Sequence, residues 1–514
     1  MGNATENNRR IAKNTLLLYL RMLFLMIVSL YTSRVVLNTL GVEDFGTYNV
    51  VGGIVAMFGF INGAMSTGTQ RFLTFELGRG NTEQLKKVFS TSIVIHGIIS
   101  LLIIILAESV GLWFFYEKMV IPANRVEAAL WVYQLSILST VVMIMSVPYN
   151  ATIIAHEKMS AFAYISVLEV ILKLAIVYLL MIGHIDKLKL YAILMFLVQL
   201  FIRLIYSSYC NHHFQETKFH IKLWDSKLLR EMLSFTGWNM WGNCAVIAFT
   251  QGVNLLLNIF FGPTVNAARG IAVQVQNTVT QFSHNFQTAL NPQITKSYAI
   301  GDLKYMHNLV YRSSKFTFFL LLFLSLPIIL ETKTILYAWL KTVPQYTVTF
   351  LRLMLCITII DAIANPLMVS AAATGKVKIY QGIVGGILLC ILPISWGILK
   401  LGGNPTSVFI VHLCIVVVAF IVRLFIVRSM IGLILSDYLK KVILNCLIVG
   451  TCALVIPLAV KYSLLQAPTG IAFFTVCFTC VLSVSVCTFF LGLTVTERQF
   501  ILNKLSSMKD KLIK

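Results

Sequence analysis

Three arginines in very apolar stretches are the residues whose chemistry stands out in this sequence. Arg34 and Arg269 lie well inside such stretches, and Arg21 lies near the start of the first one. No acid occurs between Glu231 and Asp302, so the stretch around Arg269 carries no negative charge. A guanidinium without a carboxylate partner offers paired donors to phosphate oxygens. The three arginines are therefore candidate ligands of a phosphate or pyrophosphate, although Arg21 could reach the membrane interface instead.

Amide side chains recur at helical spacing around these arginines. Steps of three, four and seven residues place them on one face of a helix. They hydrogen-bond neighbouring helices or line a wet cavity, and their number favours the cavity because contacts between membrane helices use few polar groups. Amides would bind sugar hydroxyls without adding charge. The predicted lining is Asn38 in the first span, Asn239, Asn243, Asn254 and Asn258 in the seventh, and Asn277, Gln281 and His284 in the eighth.

Acids are scarcer than bases in the apolar stretches. Glu169 precedes Lys173 by four residues, which puts both on one helix face as a structural ion pair or an ion-coupling site. Asp361 stands without a local partner, five residues before Pro366. These three charged residues are the candidates for ion coupling. No loop carries a metal-ligand spacing, a nucleophile elbow or a phosphate-binding glycine loop, so we expect no metal, no cofactor and no enzymatic reaction.

The composition places these residues in an all-α polytopic membrane protein. The chain has 514 residues, of which 58% are hydrophobic and 12% charged. Apolar runs long enough to cross a bilayer recur along its whole length, whereas a membrane barrel would show short alternating segments. We predict about fourteen spans, at residues 15–39, 47–70, 89–115, 128–155, 160–182, 189–210, 234–261, 264–293, 312–339, 346–372, 378–399, 405–430, 439–463 and 468–493.

The net charge of +21 follows the predicted topology. With both termini in the cytoplasm, the inner loops hold about three times as many Lys and Arg residues as the outer loops. The basic excess is thus explained by an inner-membrane orientation, and we expect no nucleic-acid partner. The ten cysteines lie in or beside spans, where they are read as packing residues.

Sequence landmarks recur at one offset and indicate an internal repeat. Asn38 and Asn258 are 220 residues apart, and Gly80 and Gly301 are 221 apart. Pro148 and Pro366 are 218 apart, each ten residues before a lysine. Repeated halves are common in transporters. We predict a lobe of six helices at 1–215, a second at 216–435 with a cytoplasmic linker at 211–233, and a final helix pair with a basic tail at 436–514.

Three segments in the first part of the chain carry a family resemblance. They are RRIAKNTLLLYLRMLFLMIVSLYTSRVVLNTLGVEDFGTYNVVGGI, TGTQRFLTFELGRGN and VPYNATIIAHEKM. The element LGVEDFGTYNV, from Leu40 to Val50, is the most specific. Over essentially its full length the chain resembles the polysaccharide-exporter (Wzx-type) branch of the multidrug/oligosaccharidyl-lipid/polysaccharide (MOP) transporter superfamily, although its last third matches only in hydropathy.

The resemblance implies a flippase of the bacterial inner membrane. Such proteins move undecaprenyl-pyrophosphate-linked oligosaccharides from the cytoplasmic to the periplasmic leaflet by alternating access, and a polysaccharide polymerase is a candidate partner. In related flippases, arginines of spans one and eight bind the diphosphate. That role falls here on Arg21 or Arg34 and on Arg269. The relatives also carry an arginine within span two, where this chain has only Arg71 at the inner end. Spans thirteen and fourteen would hold the lipid tail.

Two other functions are compatible with a polytopic membrane protein. A cation-coupled drug antiporter of the same superfamily would be expected to carry a carboxylate in its first span, where this chain has two arginines and no acid. A membrane O-antigen polymerase or ligase would need a large periplasmic loop. The longest predicted outer loops, 116–127 and 331–346, are too short for one.

Overall fold

Helices form every regular element of the described chain. The computed structural model describes residues 2–56, 59–117, 119, 121–182, 186–463, 469–499 and 502. No strand occurs within these ranges. The expected all-α fold is therefore confirmed. By contacts, the chain divides into unit 1 (1–243, 288–302 and 375–378) and unit 2 (244–287, 303–374 and 379–514). The predicted lobe boundaries at 215 and 435 stay predictions.

Unit 1 is built mainly from the first seven helices. Within it, α5 packs against α7 and α2, and α1 packs against α6. Short 3-10 turns at Gln215–Thr217 and Ile221–Leu223 lie in the predicted linker. The helices are α1 (Gly2–Ala56), α2 (Gly59–Arg79), α3 (Thr82–Leu106), α4 (Leu112–Glu117), α5 (Val126–Ala155), α6 (Met159–Ile182) and α7 (Lys187–His213).

Unit 2 contains most of the remaining helices. Within it, α12 packs against α15 and α10, and α17 packs against α18. The helix α8 begins in unit 1 and ends in unit 2, and the long helix α9 begins in unit 2 and ends in unit 1. The helices are α8 (Ser226–Phe261), α9 (Pro263–Ala299), α10 (Leu303–Leu330), α11 (Thr332–Leu340), α12 (Thr347–Ala373), α13 (Lys378–Leu389), α14 (Ile391–Lys400), α15 (Pro405–Ile431), α16 (Leu435–Tyr438), α17 (Asn445–Ser463) and α18 (Thr469–Cys487).

Twelve helical segments of the described residues are long and apolar enough to cross a membrane. They correspond to all predicted spans except 47–70 and 264–293. The first of these is shared between α1 and α2, with residues 57–58 outside the described ones, and the second is the amide-rich α9. The predicted span 312–339 is two helices, because the backbone of Glu331, with φ of −103° and ψ of 25°, leaves the helical conformation between α10 and α11.

The predicted repeat reappears in the backbone conformation. Gly41 and Gly262 have φ of 82° and 76°, and Gly80 and Gly301 have φ of 70° and 79°. These left-handed positions lie 221 residues apart in both pairs. Gly41 interrupts α1 and Gly262 separates α8 from α9, so both mark a change of helix direction at the same point of each half. The halves thus share a backbone plan as well as sequence landmarks.

The core of unit 1 is built around a widened turn between α3 and α4. Residues Ala107–Gly111 form a π-helical turn there. The Tyr133 hydroxyl of α5 donates a 2.7 Å hydrogen bond to the carbonyl of Ala107. A Cβ at Gly111 would lie 2.1 Å from that hydroxyl. Glycine is required here because the tyrosine occupies the space that a side chain would fill.

We expect the substitution Gly41→Ala to lower the stability of the protein by roughly 1–2 kcal/mol, because a Cβ is strained at a left-handed φ. Thermal unfolding of the detergent-solubilised protein measures the change. Gly46→Ala in the same helix is the matched control. Position 46 has open space around it and no left-handed φ, so this change should be neutral or stabilising. Equal effects of the two substitutions would contradict the assignment of strain to Gly41.

Candidate functional site

Arg269 is a buried cation that binds neutral acceptors. It lies on α9 with 9% of its surface exposed. Its Nη2 donates to the carbonyl of Thr250 at 2.8 Å, and its Nη1 donates to Oδ1 of Asn254 at 3.3 Å. Its Nε has no hydrogen-bond partner, and no carboxylate of the described residues forms a salt bridge with it. Its charge is therefore held in place but not neutralised.

The polar side chains that the sequence predicts along one face of α9 lie on two different faces of that helix. Gln276 shares the face of Arg269 and donates to Oγ1 of Thr358 at 2.8 Å. Asn277, Gln281 and His284 are instead exposed. Eight residues separate Arg269 from Asn277, which turns the helix about 80° beyond two full turns. Arg269 and these three side chains therefore lie on different parts of the helix surface, because a step of eight residues does not return to the same face.

The amides predicted on the other helices also divide between packed and exposed positions. Asn239 is buried and donates to the carbonyl of Phe235 at 3.0 Å, within its own helix. Asn254 binds Arg269. Asn38, Asn243 and Asn258 are exposed. Asn254 thus holds the guanidinium of Arg269, whereas the side chains of Asn38, Asn243 and Asn258 lie on exposed helix surfaces.

Asp361 has an ion-pair partner that its sequence neighbourhood does not show. Nη1 of Arg423, on α15, lies 3.3 Å from Oδ1 of Asp361 on α12. The arginine side chain is 12% exposed and the aspartate side chain 47%. Asp361, which has no local partner in the sequence, thus obtains one from another helix, since α12 and α15 pack side by side.

The charged residues predicted in the first half form one group in unit 1. Nζ of Lys173 lies 2.6 Å from Oε1 of Glu169, so the i, i+4 ion pair is present. The guanidinium of Arg21 lies over the ring of Phe162, 4.5 Å from its centroid. Arg21 thus has an aromatic neighbour, whereas Arg269 is held by two neutral oxygen atoms. The side chain of Arg34 lies outside the described residues.

Sequence reasoning missed the charge network that involves the LGVEDFGTYNV element. Asp44 of this element binds Arg125 bidentately, with Nε donating to Oδ1 at 2.7 Å, and Arg125 also lies 2.5 Å from Asp186. Asp186 caps the start of α7. Burial alone would raise the pKa of the Asp186 carboxyl, but the hydrogen bonds from Arg125 and from the backbone of α7 lower it. The network ties three segments of unit 1 together.

Comparison with known proteins gives the fold of the chain. Residues 18–179 match the family described as MatE. No curated protein matches the chain in sequence. A point mutant of a MATE protein superimposes with a TM-score of 0.71 at 13% identity, covering 83% of this chain and 96% of that one. An outward-facing multidrug resistance MATE transporter of the MOP superfamily gives 0.70 at 14%, with the same coverage.

A third solved structure shares the fold. It is a MOP superfamily transporter from Pyrococcus furiosus, whose binding pocket is described as having reverse polarity, suggesting a different function. It matches with a TM-score of 0.69 at 14% identity, covering 84% of this chain and 96% of that chain. At these identities the likeness establishes the architecture, which is that of MATE transporters, a multi-pass membrane fold. Side-chain chemistry must decide what the architecture does here.

We expect Asp361→Asn to destabilise unit 2, because it leaves the largely buried guanidinium of Arg423 without its counter-charge. Asp437→Asn is the control. It removes an ion pair with Lys441 whose side chains are 37% and 57% exposed, and such pairs contribute about 0–1 kcal/mol. Thermal unfolding of both variants makes the comparison. A melting temperature lowered equally by the two changes would contradict a buried structural pair at Asp361.

Proposed function

We propose that this protein is a transporter that moves an anionic, hydroxyl-rich cargo, namely a polyprenyl-pyrophosphate-linked oligosaccharide, from the cytoplasmic to the periplasmic leaflet of a bacterial inner membrane. The observation that carries the proposal is that Arg269 is buried and is bound only by neutral acceptors among the described residues. A buried guanidinium is costly in a membrane protein and marks a functional site unless an acid compensates it. Arg269 has neutral partners only among the described residues, so its charge is available to a diphosphate.

The two acids predicted as candidates for ion coupling, Glu169 and Asp361, support the same proposal. Glu169 is bound by Lys173, and Asp361 is bound by Arg423. A cationic drug would need a carboxylate to bind, and these two already have internal cations. The guanidinium of Arg269, which is held by neutral partners, therefore favours an anionic cargo.

The remaining features assign parts of the cargo to parts of the protein. The exposed amides of α8 and α9 would bind sugar hydroxyls, and the arginines would bind the diphosphate. The polyprenyl tail would stay in lipid against α17 and α18, where large apolar side chains such as Val455, Phe474 and Phe478 are exposed. Transport by alternating access, with both termini in the cytoplasm and a polymerase as partner, completes the proposal.

A cation-coupled multidrug antiporter is the second candidate. The likeness to a multidrug resistance MATE transporter favours it. The reverse-polarity transporter from Pyrococcus furiosus supports the view that this fold serves other cargo. The two candidates differ in the sign of the cargo charge, so one residue can separate them. Loss of the Arg269 charge should impair an anion flippase and should not impair a drug antiporter.

We expect Arg269→Ala to slow the flipping of a fluorescent polyprenyl-pyrophosphate-linked oligosaccharide in proteoliposomes by about tenfold or more, the effect of losing one charge-assisted hydrogen bond. Arg269→Lys should recover part of the rate, because it restores the charge without the paired donors. Arg352→Gln is the matched control. This arginine, also in unit 2, is exposed and binds the carbonyl of Ile329, so its loss should leave the rate unchanged.

The same vesicles should be tested with a cationic dye under an imposed proton or sodium gradient. Gradient-driven dye transport that survives Arg269→Ala, together with no flipping of the oligosaccharide by the wild-type protein, would establish the antiporter and overturn the flippase.

A further inference from the structure

Glu157 has a backbone conformation that is unusual for its residue type. It lies in the turn between α5 and α6 with φ of 59°, in the left-handed region. The equivalent position of the second half, 218 residues later, is Gly375 with φ of 79°. A side chain in this region costs free energy that glycine avoids. The first half therefore retains a glutamate where the repeated backbone favours glycine, which points to a role for the carboxylate.

The carboxylate of Glu157 is buried and fully bound. Its side chain is 1% exposed. Nζ of Lys296 lies 2.7 Å from Oε1, Nε of Arg10 lies 2.9 Å from Oε2, and Nε2 of Gln293 donates to both oxygens at 2.8 and 2.7 Å. The carbonyl of Glu157 also accepts a 3.2 Å hydrogen bond from Asn14. One acid thus joins the start of α1, its own turn and the last turns of α9.

The bound part of α9 differs from the rest of that helix. Residues up to Gln287 belong to unit 2, whereas residues 288–302 belong to unit 1. The last turns also meet α2 very closely, since a Cβ at Gly78 would lie 2.9 Å from Cβ of Ala299. Glu157 supplies the ionic part of this attachment, and Gly78 permits the close packing.

The equivalent turn of the second half is held in a different way. Residues 375–378 belong to unit 1 as well. A Cβ at Gly375 would lie 2.8 Å from Nη2 of Arg71, on α2. The arginine of α2 therefore packs directly against the glycine backbone, and this turn contributes no acid. The two turns occupy equivalent positions, but only the one with Glu157 supplies a buried negative charge.

We propose that Glu157 is a latch that holds the last turns of α9 on unit 1, and that its release from Lys296 and Gln293 is the step that frees this end of α9 during transport. The latch lies on the side that the basic loops predict to be cytoplasmic. The proposal goes beyond the proposed function because it concerns opening of the protein and does not depend on the cargo.

Hydrogen–deuterium exchange of the purified full-length protein tests the latch without any transported molecule. Glu157→Gln keeps the shape of the side chain and removes its charge. We expect backbone amides of 288–302 to exchange about tenfold faster or more, the effect of losing one charge-assisted hydrogen bond, while peptides of 405–431 are unchanged. Glu497→Gln is the matched control. This buried acid of unit 2 binds Lys315 at 2.9 Å and Arg312 at 3.2 Å, and its loss should leave 288–302 unchanged.

Two further variants separate the latch from a merely structural role. Glu157→Gly removes both the carboxylate and the backbone strain. Amide exchange of 288–302 should therefore rise as in Glu157→Gln, while the melting temperature falls less than in Glu157→Gln. Glu157 and Lys296 act through one contact. The double variant Glu157→Gln with Lys296→Gln should therefore exchange the amides of 288–302 no faster than Glu157→Gln alone. Unchanged exchange at 288–302 in Glu157→Gln would overturn the latch. So would a rise spread equally over 288–302 and 405–431.

Discussion

A charged group inside a membrane-spanning helix is costly unless the protein or a ligand compensates it, and this constraint bears on the ion pairs of the spans. Asp361 is bound by Arg423 and Glu169 by Lys173. Arg269 remains with a carbonyl and an amide as its partners. An uncompensated carboxylate would suit a cationic cargo, whereas an uncompensated guanidinium suits an anionic one.

The backbone shows how one plan is used twice. Left-handed positions recur at Gly41 and Gly262, at Gly80 and Gly301, and at Glu157 and Gly375. Each of these positions lies at a kink within a helix or between two consecutive helices. The third pair is the informative one, because there one half accepts strain in order to place a carboxylate.

The fold of this protein is shared with other transporters, so the fold alone does not identify its cargo. Solved structures with 13–14% identity share its architecture, one of them a multidrug resistance transporter and another a transporter with a pocket of reverse polarity. At such identities the shared architecture does not determine the cargo. Under the proposed function, the buried charge of Arg269 would make the selection.

The sequence by itself determined the helices and the local contacts. Apolar runs placed the spans, and the spacing of Glu169 and Lys173 gave their ion pair, because both signals depend on neighbours within one or two helical turns. Only the tertiary structure decided the partners of Asp361 and Glu157, which come from 62 and 139 residues away. It also decided which amides of α9 turn inward with Arg269. These outcomes depend on how helices pack and rotate against each other, and helical spacing along one segment carries no information about that.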